Sequence, residues 1–457
     1  MLRFFRINDP YRLAIIFVLM VIIRFVQSHF IAGTSYYELK WLLLGEWVSD
    51  GFRMYSETFD YTGPLAVFVY KYLSMILGRS AFIHYGFSSL IIIFQAGIFN
   101  QLLLKNKAYD ENGYLPAFLY MILMVSVPDF MTLSPQLLSL TFILLAFRNV
   151  LRRIDNQVTD ELFLNSGIFI GIATMIYLPS IVFFLVFLFA LILFSTAASR
   201  RLALYLFTFL LVFSMCGLYF YWRQDLGQFI DSYLIQNFLM NMSSELSLVE
   251  ALLLSAGFIV VFLLSIFKTW GSARLTNYQQ KIQQVIWLMF FGAIATFFLS
   301  NEKALFELVF FVPIIAYFWT HYFILLRKRI FQFLMPGVLI FGVLVYAVFS
   351  YQTFTEPLEV ENVEGAKDST MILGGDLDYY KNVQINTPYF NAQLSERAFK
   401  GLDYYGSAGD LFLLFKRANP TTVIDHAGVM PQLMHRFPEI QSTYVKRGGN
   451  RYEKISN

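Results

Sequence analysis

The sequence predicts an α-helical polytopic membrane protein of about eleven transmembrane helices, closed by a small C-terminal extracytoplasmic α/β domain. Three observations carry that class. The 457 residues are 57% hydrophobic and only 14% charged, whereas soluble domains carry roughly 25% charged residues. Apolar runs of about 20 residues, the length that crosses a hydrocarbon core, recur down the chain. Clusters of Lys and Arg fall in alternate connections between these runs, the pattern that the positive-inside rule describes.

Taken in order, the runs are 11–31, 82–104, 114–128, 134–150, 162–178, 179–196, 202–222, 249–267, 285–299, 304–325 and 331–351. Arg3, Arg6 and Arg12 begin one side of the membrane. Lys105 and Lys107, then Arg148, Arg152 and Arg153, continue it. Arg200 and Arg201, then Lys268, Arg274 and Lys281, and last Arg327, Lys328 and Arg329 complete it. That side is cytoplasmic, and an odd number of spans sends the C-terminus out. "MLRFFRINDPYR" runs into the first span without a small-residue cleavage site and reads as a retained anchor. A membrane domain over 1–351 and an extracytoplasmic α/β domain over 352–457 follow.

Three outward segments stand out. The first loop, 32–81, carries Glu38, Glu46, Asp50, Glu57 and Asp60. Within it, "YYELKWLLLGEWV" places Leu39, Leu42, Leu43 and Trp47 at helical spacing, with Glu38, Glu46 and Ser49 on a polar side. That pattern suits a helix lying in the interface, ended by Gly51. After the Gly63-Pro64 corner, "LAVFVYKYLSMILG" is short for a span and carries Lys71, so it reads as a second interfacial helix. The middle loop, 223–248, is polar and amphipathic. In the tail, "TMILGG" and "TTVIDH" read as buried strands, and "AGDLFLLFKR" and "MPQLMHRF" as helices.

Several function classes drop out. A net charge of +3 with no basic run interleaved with aromatics excludes nucleic acid as a partner. Cys216 is the sole cysteine, so intrachain disulfides and cysteine metal sites are excluded. His29, His84, His321, His426 and His435 are scattered, with no two-His helical spacing for zinc. "GGDLDYY" lacks the spacing of a phosphate loop, and Asp376 and Asp378 there sit at a strand end, a position for a ligand but more often only a turn.

The stretch "LKWLLLGEWVSDGFRMYSETFDYTGPLAVFVYKYLSMILGRS" resembles the first-loop signature of GT-C type membrane glycosyltransferases, nearest in pattern to protein mannosyltransferases and aminoarabinose transferases. Gly51, Tyr55, Asp60, Pro64, Leu65 and Gly78 match in order and approximate spacing. "GIFIGIATMIYLPSIVFF" resembles the Pro-broken paired span of that family, and "NPTTVIDHAG" with "RFPEIQSTYV" its bacterial C-terminal domains. The resemblance implies a polyprenyl-phosphate-linked sugar donor, with transfer at the outer face of a bacterial inner membrane. It also implies a first-loop acid that acts as general base on the acceptor or binds a divalent metal.

Glu38 and Asp60 are the candidate acids. A carboxylate within reach of the incoming hydroxyl takes its proton as the C–O bond forms. The same residues have plainer readings, a polar residue on an interfacial helix for Glu38 and a turn cap for Asp60. Arg24, Arg53, Tyr55, Arg223 and Lys303 are candidates for the donor and its phosphate. Against that, Arg24 could snorkel, Arg53 and Tyr55 could be membrane anchors, and Lys303 could pair with Glu307.

The sequence also departs from the pattern. "SYYE" replaces the usual acid or acid pair, and Gln136 stands where an acid often opens the fourth span. A second reading is therefore a non-catalytic scaffold of GT-C fold, with envelope proteins as partners. A third, a lipid-linked glycan flippase, predicts repeated halves that the chain lacks.

Overall fold

The computed structural model describes residues 2–30, 36–78, 81–154, 160–194, 199–239, 249, 259–260, 262–269, 275–301 and 304–325, then short runs between 337 and 349, and 369–374, 392–400 and 405–455. Lys303 lies outside the described residues, as do most of the predicted spans at 249–267 and 331–351 and the turn at Asp376 and Asp378.

The chain divides into two compact units. The first comprises Met1–Ala32, Phe82–Tyr219 and Asn237–Glu356. The second gathers Gly33–Ala81, Phe220–Gln236 and Pro357–Asn457, so the first loop and the tail fall in one body.

The first unit is a helical membrane body. After a short α1 (Leu2–Phe5) come α2 (Tyr11–Phe30), α5 (Ala81–Lys105), α6 (Leu115–Ser126), α7 (Pro135–Ile154), α8 (Asp160–Ile176), α9 (Val182–Phe194) and α10 (Ser199–Trp222). The loop helices α3 (Tyr36–Ser49) and α4 (Pro64–Leu77) belong to the second unit. Helices Asn277–Leu299 and Val312–Ile324 complete the described membrane body. Four stretches among the described residues are long and apolar enough to cross a membrane: Phe82–Lys105, Ser199–Trp222, Asn277–Leu299 and Leu305–Ile324.

All twelve residues of α6 are buried. A helix apolar on every side has no face to give to water and takes the centre of the bundle. By contrast α10 leaves Phe207, Met215, Leu218, Tyr221 and Trp222 exposed, the pattern of a lipid-facing helix with aromatics at its end.

Pro179 breaks the paired span as expected. Residues Leu178–Ile181 form a 3-10 turn, and α9 follows. A similar turn, Pro128–Met131, ends α6 two residues beyond Ser126. Proline donates no backbone hydrogen bond, so each site forces the helix to stop and restart.

In the second unit, α3 and α4 pack against each other. A Cβ at Gly45 would sit 2.7 Å from the Tyr70 carbonyl oxygen, so only glycine permits this approach. The Trp41 and Tyr70 rings stack with centroids 6.2 Å apart beside it. One expectation changes here. The polar side of α3 is not a solvated face: Glu38 is 2% exposed, and residues 37 to 45 are buried. Packing on α4 and the rest of its unit, rather than the helix's own periodicity, decides which face is covered.

The tail contains the two buried strands read from sequence, β1 (Thr370–Leu373) and β2 (Thr422–Asp425), which pair in parallel in register from Thr370 with Thr422. A hairpin of β3 (Tyr444–Gly448) and β4 (Arg451–Lys454) extends the sheet in the order β1-β2-β4-β3. Its turn uses Gly449 at φ 51°. Helices Ala392–Lys400, Tyr405–Ala418, Met430–Arg436 and Pro438–Thr443 accompany the sheet.

Candidate functional site

The first loop positions its acids by two different devices. Asp60 precedes the Gly-Pro corner and is 2% exposed. Its Oδ1 lies 3.0 Å from the Lys40 Nζ, and its Oδ2 accepts the Thr62 amide at 3.3 Å. Lys40 is itself 2% exposed and lies 4.8 Å from the Tyr61 ring centroid. Two opposite charges buried together offset much of each other's desolvation cost, provided neither is removed. Burial, and secondarily the Asp60 charge, holds the Tyr70 hydroxyl well above its ordinary pKa. Glu38 sits two residues before Lys40 on the same buried helix.

Tyr55 is the strained residue of the loop. At φ 65° it occupies the left-handed region that non-glycine residues avoid. Three contacts fix it there. Its amide donates to Thr58 Oγ1 at 3.1 Å, its hydroxyl donates to the Thr62 carbonyl at 2.7 Å, and its ring packs against Phe220, Phe229 and Tyr233. The last two rings belong to a π-helical turn, Phe229–Ile235, of the middle loop. Such turns are rare and often found at functional sites.

Arg53 and Arg417 then tie the three segments of this unit together. Glu57 accepts from the Arg53 amide at 2.6 Å and from Arg417 Nη1 at 2.6 and 2.8 Å on its two oxygens. The other guanidinium arm of Arg417 donates to the Gly51 carbonyl at 2.8 Å, and its plane lies over the Phe52 ring at 4.7 Å. Arg53 Nη1 donates to Asp225 Oδ1 of the middle loop at 3.4 Å. Arg223, in the same loop, is exposed. Of the predicted residues, Glu38, Asp60, Arg53, Tyr55 and Arg223 therefore share one compact unit.

Arg24 lies in the other unit. Its guanidinium donates to the Tyr85 carbonyl at 3.0 Å, to Ser88 Oγ at 3.2 Å, to Ser89 Oγ at 2.8 Å and to the Met131 carbonyl at 3.1 Å. A charge inside a span is costly, and these acceptors replace its water.

The membrane unit holds a cluster that sequence reasoning missed. Glu307, 1% exposed, accepts from Gln136 Nε2 at 2.7 Å, Ser300 Oγ at 2.9 Å and the Tyr177 hydroxyl at 2.7 Å. Four chain segments meet there: the start of α7, the end of α8, the end of Asn277–Leu299 and the turn Leu305–Phe311. Gln136 is indeed a neutral amide, and the acid opposite it comes from a residue 171 positions on. Only a search for polar residues at several span ends could have suggested the group. Nearby in sequence, burial pushes the Asp129 carboxyl up to about 6.

The same unit holds a partly open apolar cavity of about 440 Å³, lined by Phe130, Phe262, Phe290, Phe297, Phe311 and Tyr346 among others. Among the described residues, no three His, Cys, Asp or Glu side chains gather as a metal site would need. The divalent ion left open by the sequence thus finds no fitting ligand set among those residues.

No family model matches the chain, and no curated protein sequence does. Solved structures do. ArnT from Cupriavidus metallidurans, bound to undecaprenyl phosphate, superposes with a TM-score of 0.56 at 12% identity, covering 97% of this chain and 98% of that one. The apo oligosaccharyltransferase of Archaeoglobus fulgidus gives 0.52 at 10% identity, over 91% of this chain and 69% of that one. AglB from the same organism, in complex with an inhibitory peptide and a dolichol-phosphate, gives 0.50 at 10% identity, over 98% and 75%. The chain is a multi-pass membrane protein with the fold of these structures.

Proposed function

We propose that the protein is a glycosyltransferase that takes a sugar from a polyprenyl-phosphate donor at the outer face of a bacterial inner membrane. In this reading the membrane domain spans about eleven times, with a cytoplasmic N-terminus and the tail from residue 352 in the periplasm. The observation that carries the reading is the near full-length likeness in fold to a structure that holds undecaprenyl phosphate. The apolar cavity supports it, since its aromatic and aliphatic lining suits an isoprenoid chain.

Glu38 is the base. It takes the proton of the acceptor hydroxyl as that oxygen bonds to the sugar's anomeric carbon. The bond from that carbon to the phosphate oxygen breaks, and polyprenyl phosphate leaves with the electron pair. Arg53 and Arg223 offset the growing phosphate charge, Tyr55 shapes the loop, and Arg24 holds the first span to α5. Asp60, paired with Lys40, fixes the helix that carries Glu38.

The test is transfer from a radiolabelled undecaprenyl-phosphate sugar in proteoliposomes. Glu38→Gln is expected to slow it about 100-fold or more. Wild-type rates in both Glu38→Gln and Asp60→Asn would sink the transferase.

A specific pair of observations favours a second reading, a scaffold that kept the fold without the chemistry. Asp60 is neutralised by Lys40, and Gln136 is an amide. Envelope proteins that co-purify in fixed ratio, with function intact in the double-acid variant, would select it.

A further inference from the structure

The hairpin that closes the tail's sheet carries charge out of proportion to its size. Between Tyr444 and Ile455 stand Lys446, Arg447, Arg451 and Lys454 against one acid, Glu453. The ribbon thus holds a formal +3, as much as the whole chain. Alternation along the strands sorts its side chains onto two faces. Tyr444 and Tyr452 turn inward: both are buried, and the Tyr444 ring meets Phe415 with centroids 5.3 Å apart. Val445 is paired across the ladder with Glu453, so both stand on the other face. Arg447 Nε lies 3.4 Å from Glu453 Oε2 and Arg451 Nη2 3.0 Å from Glu453 Oε1, which places both guanidiniums there as well.

This second face is open. Val445 is 46% exposed, Ile455 45% and the Arg447 side chain 71%. Ile455 continues the ladder, its amide donating to the Thr443 carbonyl at 2.8 Å, and so shares the face of Glu453. On the neighbouring β2 the residues of that face, Thr422 and Ile424, are buried, which confines the opening to the ribbon β3-β4. From base to tip the ribbon presents aliphatic groups first and guanidiniums last. One carboxylate shared by two arginines leaves surplus positive charge. Lys446 and Lys454 add to it, since they meet the Tyr452 ring at 5.8 Å and the Asn419 Oδ1 at 2.9 Å, neither of them a counter-charge. The free edge of β3 is guarded, because Lys446 and the bulge between Lys446 and Gly448 discourage a further strand. The face, not the edge, is left to bind.

We infer that this face docks on an anionic bilayer surface, with lipid phosphates at the guanidiniums and Val445 and Ile455 among the headgroups. An arginine fork matches phosphate oxygens two at a time. Aliphatic side chains gain by leaving water at the interface, and the negative surface potential attracts each surplus cation. A soluble polyanion would answer the charge and leave Val445 and Ile455 in water. A neutral apolar partner would cover them and strand the arginines. The tail is also tethered: from the predicted end of the last span at Tyr351 to β1 at Thr370 the chain reaches at most about 70 Å. A bilayer surface is therefore always within its range. The inference stands on the ribbon alone and does not require the transferase reading.

The test is hydrogen exchange, read by mass spectrometry, on the full chain in nanodiscs of phosphatidylcholine alone or with about 30% phosphatidylglycerol. Exchange across residues 445–451 is expected to slow about threefold or more in the anionic discs at low salt. The difference should vanish at about 500 mM salt, where screening reaches only a few ångströms. Lys446→Gln with Arg447→Gln lowers the ribbon to +1 and should abolish it. Exchange of that variant in neutral discs should match the parent, which shows the fold intact. Equal exchange in the two discs, a difference that survives high salt, or one that persists in the double variant would overturn the inference. So would protection in native membranes but in neither disc, which assigns the face to a protein partner. None of these outcomes bears on Glu38, whose assay is transfer.

Discussion

Glu307 and Glu57 are both carboxylates met by several donors, yet they live under opposite physics. Glu307 is sealed inside the membrane unit and is held by an amide, a serine and a tyrosine. Glu57 sits near the surface of the second unit and is held by the Arg417 fork. In the low-dielectric interior neutral donors are strong and any loss is costly. Near water the guanidinium pair is partly screened, and what it supplies is geometry more than energy. The same residue type therefore does structural work in one place and links loops in the other.

The first of the two largest expected effects tests whether burial or pairing sets the cost. Lys40→Met strips the buried Asp60 of its counter-charge and is expected to cost about 3–5 kcal/mol. Lys40→Met with Asp60→Leu should recover most of the loss, because no charge is then stranded. Thermal unfolding in detergent reads both, and equal loss in the single and double variants would show that packing, not charge, dominates.

Next comes Glu307 itself. Glu307→Leu leaves the Gln136, Ser300 and Tyr177 donors buried without an acceptor, at about 1–3 kcal/mol for each group left unsatisfied. Glu307→Gln keeps an acceptor oxygen and should lose less. If the two variants unfold at the same temperature, the charge rather than the acceptor holds the four segments.

A pH experiment sharpens the contrast from a third acid. The Asp129 carboxyl is raised from 3.8 to about 6 by burial, so the folded protein binds a proton more tightly than the unfolded chain. Its contribution is fully favourable below about pH 4 and is lost as pH rises through about 6. Asp129→Asn should flatten that fall in stability, and an unchanged slope would assign it to other groups.

The smallest effect belongs to the surface network. Arg417→Ala should lower stability by no more than about 1 kcal/mol, and by less at high salt. Its signature is local: faster proteolysis between Gly51 and Thr58, where Arg417 clamps the loop. Unchanged cleavage there would mean the loop is held by Tyr55 and its aromatic neighbours alone.

Much of the fold was legible from residue order. Apolar length marked the membrane helices, Pro179 marked the break in the paired span, and "TMIL" and "TVID" marked two buried strands, which the sheet pairs in parallel. The hairpin "YVKRGGNRYEK" was there to be read too, with glycines at its turn, but its strands are largely exposed and lack an apolar stripe. Less of the site was readable. Glu38 and Asp60 could be named through the resemblance of the first loop to the GT-C signature, while Lys40 looked like any residue of an interfacial helix.

Sequence by itself determined the solvent of this protein, because hydrophobicity and chain length are local sums that need no partner. It also determined where the chain must turn, since proline and glycine act on their own backbone. Only the tertiary structure decided the partners: Lys40 for Asp60, Arg417 for Glu57 across 360 positions, and Glu307 for Gln136. Electrostatic pairing depends on distance in space and on the water excluded there, and neither quantity is written along the chain.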